Sequence, residues 1–164
     1  MASDIVIFAT PLYIDNVSGL MKTFMDRLIA LVDPHFEKDE RGEYRHRKKH
    51  GKYPKFVVIS NGNMPEQSHF QVLRVLFRRM VRSMHTELAA EVYRGSGGFL
   101  RSYDMTFKPM LEQYKQLLRK AGSELVRNGR ISEQTAGDLE RPMVDPDEYV
   151  EYANRQWDKM LSTT

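Results

Sequence analysis

The chain of 164 residues contains no cysteine. This absence excludes disulfide bonds, a thiol nucleophile and an iron–sulfur cluster held by the chain's own thiolates. No apolar run approaches the roughly 18 residues that cross a bilayer. The amino terminus also has no basic region followed by a long apolar stretch and a cleavage site. We therefore expect a cytoplasmic protein without a membrane partner.

Signals of hydrolytic and metal chemistry are missing as well. The sequence shows no Ser-His-Asp order, no paired-carboxylate spacing and no cluster of metal ligands. His69 has two interpretations, a proton carrier beside a substrate or an ordinary hydrogen-bonded surface residue. The sequence positions of Tyr103, Asp104 and His85 match no catalytic or ligand-binding motif. We predict no metal site and assign no catalytic residue.

Length and composition fit one folded domain. Hydrophobic residues make up 41% and charged residues 29% of the chain, which are ordinary values for a globular protein. The net charge is +3, and basic residues without any acid are concentrated between Arg45 and Lys55. This segment has loop composition and lacks an ordered face with base-reading side chains. We predict a solvated loop and no nucleic-acid partner, with a contact to a dinucleotide phosphate as the alternative.

Hydrophobic periodicity predicts alternating strands and helices. Apolar runs over residues 4–9, 56–60 and 87–93 indicate strands, and the first two lack the polar alternation of half-exposed ones, as in a covered parallel sheet. Helical spacing begins behind Ser18 and again behind Ser68, which are plausible caps. The order β-α-β-α-β predicts a right-handed α/β layer fold.

The carboxyl-terminal third is predicted to be helical. A glycine-rich loop over residues 94–104 leads into a helix over residues 107–128, which Gly129 is placed to end. A short helix follows from Ser132. A last helix has Asp145 as its cap, with a proline as its first residue.

Two loops follow predicted strands, at the sheet edge where parallel α/β proteins bind ligands. In the loop over residues 10–18, Pro11 restricts the backbone and Tyr13 offers a flat ring. The amides of its last four residues are expected to face electron-rich ligand atoms at a helix start. In the loop over residues 60–67, Gly62 permits close backbone approach. We predict two walls of one cleft; the alternative is an ordinary turn with Tyr13 over the sheet edge.

The opening segment combines an acid before an apolar strand, Thr-Pro-x-Tyr after it, and a helix with Lys, an aromatic residue and Asp-Arg. The residues concerned are Asp4, Thr10, Pro11, Tyr13, Val17, Ser18, Lys22, Phe24, Asp26 and Arg27. This pattern resembles the central motif of the flavodoxin-like NAD(P)H-dependent FMN oxidoreductases, which include NADPH-dependent FMN reductases and iron–sulfur flavoproteins. NGNMPEQSHF and the tail are similar to this family too, so the resemblance covers most of the chain.

The resemblance implies a flavin site. It places Thr10, Pro11, Leu12, Tyr13, Asn16, Val17 and Ser18 around the isoalloxazine edge and ribityl chain, and Asn61, Gly62 and Asn63 on the opposite side. FMN would be the cofactor, NAD(P)H the hydride donor, and a quinone, another flavin or a redox protein the acceptor. Lys22, Asp26 and Arg27 are assigned to structure or a subunit contact. The predicted function is an FMN-dependent NAD(P)H oxidoreductase; the alternative is a non-enzymatic module for oligomer assembly or partner binding.

The sequence also departs from this family, because it lacks the first strand, the phosphate-binding loop and the second strand. The expected fold is therefore a flavodoxin-like three-layer sandwich whose parallel sheet misses its first two strands. The FMN phosphate would be held weakly. The strand at residues 4–9 would form an apolar edge, which is a liability unless something covers it. Three explanations are open: the chain is a fragment of a longer flavoprotein, it pairs this edge with a second copy, or it docks onto another polypeptide. For the purified chain we predict a homodimer or larger homo-oligomer.

Overall fold

The computed structural model of the protein describes residues 2–101 and 105–162. The predictions for Tyr103 and Asp104 lie outside these residues. The described elements are, in order, β1 (Ile5–Pro11), α1 (Gly19–Asp26), β2 (Phe36–Lys38), β3 (Tyr44–His46), β4 (Lys55–Asn61), α2 (Gln71–Ser83), β5 (Leu88–Arg94), α3 (Lys108–Asn128), α4 (Glu133–Glu140) and α5 (Pro146–Leu161). Short 3-10 turns lie at Arg27–Leu31, Gln67–Phe70, Gly97–Arg101 and Met105–Phe107.

The chain divides into two compact units, which we describe separately. The first unit comprises Met1–Ser60 and Phe70–Glu91, and the second comprises Asn61–His69 and Val92–Thr164. The organisation as a single domain stays a prediction. None of the helices in the described ranges has the length and apolar character needed to cross a bilayer.

Strands β1, β4 and β5 form a three-stranded parallel sheet in the order β1-β4-β5. Most side chains of β4 and β5 are buried, which explains why the sequence of these strands shows little polar alternation. Strand β1 lies at the end of this sheet, and its Ile7 side chain is 56% exposed. The predicted α/β architecture, with a parallel sheet and a helical carboxyl-terminal part, is confirmed and is consistent with a flavodoxin-like fold.

Aromatic packing holds β1 in the first unit. The Phe8 ring centroid lies 4.8 Å from that of Phe56 on β4 and 5.5 Å from that of Phe77 on α2. Leu73 and Phe77 are four residues apart on α2, so both point from the same helix face into the core, where both are fully buried. This packing fixes the strand from which the first predicted loop leaves.

Helices α3 and α4 build the core of the second unit. Their buried residues Tyr114, Ala121 and Leu139 pack with Val92 of β5. Gly129 ends α3 with φ of 68°, and its N–H donates to the Leu125 carbonyl at 3.0 Å. This left-handed conformation strongly favours glycine, so the predicted end of the helix is confirmed.

The predicted starts of the last two helices, at Ser132 and at the cap Asp145, are confirmed by hydrogen bonds. The Ser132 hydroxyl oxygen accepts from the Thr135 N–H at 3.2 Å, at the start of α4. A carboxylate oxygen of Asp145 accepts from the Asp147 N–H at 2.9 Å, at the start of α5. In both places a side-chain oxygen satisfies an amide that has no partner within the helix.

Two sequence predictions differ from the structure. The basic segment begins with the last two residues of β3, which pairs antiparallel with β2, so it is not wholly a loop. The turn of this hairpin is held by Asp39, whose carboxylate accepts from the amides of Arg41 and Glu43, both at 3.0 Å. Ser68 does not cap an α-helix, because it lies within a 3-10 turn and α2 begins only at Gln71.

Candidate functional site

The first predicted loop contains a closed two-residue turn. The Tyr13 N–H donates to the Asn16 carbonyl and the Asn16 N–H donates to the Tyr13 carbonyl, both at 3.0 Å. Between them, Ile14 and Asp15 have φ of 48° and 53°. Positive φ at both central residues is the geometry of a type I′ hairpin turn, which a β-branched residue such as Ile14 rarely adopts.

The ends of this loop are tied together by Thr10. Its buried hydroxyl oxygen accepts from the Ser18 N–H at 3.0 Å, and the hydroxyl donates to the Pro11 carbonyl at 3.0 Å. The Ser18 hydroxyl oxygen in turn accepts from the Met21 N–H at 3.3 Å and caps α1. The end of β1 and the start of α1 are therefore fixed relative to each other, which makes the loop rigid.

The amides near the end of the loop are used inside the loop. The Asn16 N–H donates to Tyr13, the Val17 N–H donates to the side-chain oxygen of Asn16 at 2.8 Å, and the Ser18 N–H donates to Thr10. The prediction that these three amides face a ligand is therefore wrong. The reason is the two-residue turn, which folds the loop back on itself and brings internal acceptors within reach.

Exposed side chains are what the loop presents to its surroundings. Tyr13 is 63% exposed and Ile14 is 99% exposed. The side-chain amide group of Asn16, also exposed, makes no donor hydrogen bond to any residue that the structure describes. Thr10 and Val17 are buried and hold the loop in shape. An aromatic ring, an apolar side chain and an amide donor thus project from a fixed backbone.

The second predicted loop lies in the second unit, against the glycine-rich loop. The Gly62 N–H donates to the Arg94 carbonyl at 3.0 Å, and the Gly97 N–H donates to the Gly62 carbonyl at 2.8 Å. A Cβ atom on Gly95 would lie 2.5 Å from the Pro65 carbonyl oxygen. Such a contact is far too short, so the close approach of the two loops requires glycine there.

Asn61, Gly62 and Asn63 are exposed or partly exposed at the start of this loop. The Tyr149 hydroxyl donates to the side-chain oxygen of Asn63 at 3.2 Å. Burial raises the pKa of Tyr149 above its ordinary value of 10.0, so the hydroxyl keeps its proton and remains a donor at neutral pH. This bond sets the orientation of the Asn63 side chain.

Arg94, at the end of β5, is a buried cation that sequence reasoning missed. One of its terminal nitrogens donates to the carbonyls of Glu140 and Arg141 at 2.9 and 2.8 Å, at the end of α4. The guanidinium lies 5.0 Å from the Tyr114 ring centroid. Burial lowers the pKa of Arg94 from its ordinary value. The sequence signal that could have drawn attention to Arg94 is its position immediately before the glycine-rich stretch.

The remaining predicted candidates occupy ordinary positions. His69 lies 3.6 Å from the Glu66 carboxylate, and His85 Nε2 lies 2.7 Å from the His46 carbonyl. Lys22 and Asp26 form an exposed ion pair at 2.5 Å one helical turn apart, in line with a structural assignment. Within residues 2–101 and 105–162, no three metal-ligating side chains lie together.

A parallel sheet with a rigid loop at the carboxyl end of a strand is the architecture of α/β proteins that bind ligands beyond the strand ends. Residues 1–94 match the family described as NADPH-dependent FMN reductase. This match covers more than half of the chain, and the protein belongs to that family. The match includes the whole of both predicted loops and ends with β5. No curated protein and no solved structure matches the chain.

Proposed function

We propose that the protein is an FMN-dependent NAD(P)H oxidoreductase that reduces a flavin or a quinone. The observation that carries this proposal is the rigid loop after β1, with Tyr13 and Ile14 exposed at its turn, inside the part of the chain that matches the family. Bound FMN supplies hydride transfer between a nicotinamide and an electron acceptor. The protein contributes binding, orientation and polarity around the ring.

The side chains of the loop suit a planar, partly polar ring. Tyr13 can pack along the ring face, and Ile14 can cover apolar ring atoms. The Asn16 side-chain amide can donate to a ring nitrogen or carbonyl, which favours the negative charge of a reduced flavin. We propose flavin contacts from Thr10, Pro11, Leu12, Tyr13, Asn16, Val17, Ser18, Asn61, Gly62 and Asn63.

The isoalloxazine ring and the phosphate of FMN are expected to contribute unequally to its binding affinity. The sequence contains no counterpart of the family's glycine-rich phosphate loop. Such loops supply several backbone N–H donors to a phosphate. Hydrogen bonds to a charged phosphate are stronger than hydrogen bonds between neutral groups. We therefore propose that the ring system provides most of the affinity of this chain for FMN.

The experiment is a titration of FMN fluorescence with the purified chain, followed by an assay of NAD(P)H oxidation with a quinone. We expect quenching by the wild type and a weakening of about 2- to 10-fold in Tyr13→Leu, the worth of one aromatic contact. Tyr44→Leu is the matched control, because Tyr44 is similarly exposed but lies on β3. Absence of both quenching and oxidation would favour the alternative of a non-enzymatic module.

We further propose that the chain forms a homodimer or larger homo-oligomer. The support is the position of β1 at the end of the sheet, with the Ile7 side chain exposed on a strand that has one neighbour among the described strands. Apolar strands at a sheet end pair readily with another chain. Sedimentation of the wild type should show a species heavier than 19.2 kDa, and Ile7→Lys should shift it toward the monomer. A monomeric wild type would contradict this.

A further inference from the structure

A cavity of about 230 Å³ lies in the second unit, among residues of α5 and the segments before α3. All of its lining residues follow residue 94, so the cavity lies outside the part of the chain that matches the FMN reductase family. Pockets for drug-sized molecules are typically about 300–1,000 Å³. This smaller space is matched to the head group of a small ligand, and none of its described lining residues is among the proposed flavin contacts.

The walls of the cavity are mainly aromatic. The Phe99 and Tyr152 rings stack with centroids 5.2 Å apart and an interplanar angle of 30°. The Phe107 ring meets Tyr152 edge to face at 5.3 Å and lies 4.5 Å from Phe99. Val144 adds an aliphatic side chain to the lining. Because the rings hold one another in place, the wall is formed before any ligand arrives.

Among the described lining residues, two glutamates and one arginine give the rim of the cavity an excess of negative charge. Glu148, Glu151, Tyr152 and Arg155 recur at steps of three and four residues, so they share the face of α5 that lines the cavity. Arg155 lies 3.4 Å from the Glu151 carboxylate and neutralises it. The Glu148 carboxylate has no ion pair or hydrogen bond among the residues that the structure describes. One unpaired acid thus stands beside an aromatic wall.

We propose that this cavity binds an alkylated ammonium cation. Aromatic faces attract cations, and the attraction grows when the cation is poorly hydrated. A primary ammonium needs several hydrogen-bond acceptors to replace its water, and the apolar walls of Phe107 and Val144 behind the rim carboxylates supply none. An alkylated head group loses little hydration among these side chains and gains the charge of Glu148 at the rim. An anion would face the unpaired carboxylate, and a neutral ligand would leave it unused.

The test compares choline with its neutral carbon isostere, 3,3-dimethylbutan-1-ol, which has nearly the same shape. Binding to the full chain is measured by calorimetry and by saturation-transfer NMR. We expect choline to bind roughly 5- to 30-fold more tightly than the isostere, the range for a cation on aromatic faces. Equal affinity of the two compounds, or binding of neither, would overturn the proposal.

Variants locate the binding site. Glu148→Gln should weaken choline binding several-fold and leave binding of the neutral isostere unchanged. Asp158→Asn is the control, because Asp158 is an exposed acid of the same helix that does not line the cavity. Tyr152→Leu should weaken choline further, with circular dichroism to confirm folding. If Glu148→Gln and Asp158→Asn behave alike, the cation binds elsewhere and the assignment is wrong.

Discussion

The backbone N–H of Ser18 donates to the side-chain oxygen of Thr10 at 3.0 Å, across eight residues of chain. This bond joins the second-last residue of β1 to the N-cap of α1. It closes the loop that we propose to contact the flavin ring. The shape of the proposed site therefore depends on a buried hydroxyl that forms hydrogen bonds within the loop.

Replacing that hydroxyl should loosen the loop. Thr10→Val keeps the shape of the side chain but leaves the Ser18 amide without its acceptor, which costs about 1–3 kcal/mol of unfolding free energy. Urea denaturation measures this loss. Thr23→Val, at an exposed helix position, is the control and should cost less. Equal losses in the two variants would show that the Thr10 bond does not hold the loop.

Relief of backbone strain at Ile14 should stabilise the protein and weaken its site. Ile14 has φ of 48° and is almost fully exposed. Asparagine tolerates this conformation better, so Ile14→Asn should raise the unfolding free energy by about 1 kcal/mol. The same change removes an apolar contact and should lower FMN affinity. Ile14→Val stays β-branched and should show no gain in stability, and a gain in both variants would contradict the explanation by strain.

FMN and riboflavin should bind this chain with similar affinities. A phosphate held by several backbone donors contributes more than the roughly 1.4 kcal/mol that corresponds to tenfold in affinity. Because we propose that the ring system provides most of the affinity, we expect the two flavins to differ by less than about tenfold. Parallel fluorescence titrations at one ionic strength measure the ratio. A preference for FMN much larger than tenfold would show that the chain has a phosphate-binding site, and it would contradict this prediction.

The link between α3 and α4 should make stability depend on pH. The Glu124 carboxylate accepts from the Ser132 N–H at 2.8 Å and from the Thr135 hydroxyl at 2.7 Å. These bonds lower the pKa of Glu124 from its ordinary value of 4.5. The carboxylate form is thus favoured in the folded protein, so its stabilisation is present above pH 4.5 and is lost as the pH falls below it.

Glu124→Gln removes this titration and tests its sign. The variant should be less stable than the wild type near neutral pH, and the difference should shrink as the pH falls below 4.5. Thermal unfolding across this range measures the difference. Glu40→Gln changes an exposed glutamate in the hairpin turn and serves as the control. A constant difference at all pH values would rule out Glu124 as the titrating group.

The regular elements could be predicted from the sequence because their signals are local. Apolar runs located β1, β4 and β5, and the caps Ser132, Asp145 and Gly129 lay where helices α3–α5 begin or end. Strands β2 and β3 were missed because three-residue strands are too short to show a period. Helix α2 begins later than predicted because a 3-10 turn precedes it.

The position of the loop after β1 could be predicted from the sequence, whereas its conformation could not. The loop after β1 was found from its proline, its tyrosine and the helix start that follows. The type I′ turn was not, because isoleucine rarely takes positive φ. Contacts between distant residues, such as Tyr149 with Asn63 and Arg94 with the end of α4, leave no local pattern in the sequence.

The central claim, that the loop after β1 contacts a flavin ring, is tested most directly by NMR of the isotope-labelled chain during an FMN titration. We predict that the largest shift changes fall on the amides of residues 12–16 and on the side-chain amide of Asn16. Smaller changes are expected at Asn61, Gly62 and Asn63. If saturating FMN leaves residues 12–16 unchanged, or shifts only other parts of the chain, the claim is wrong.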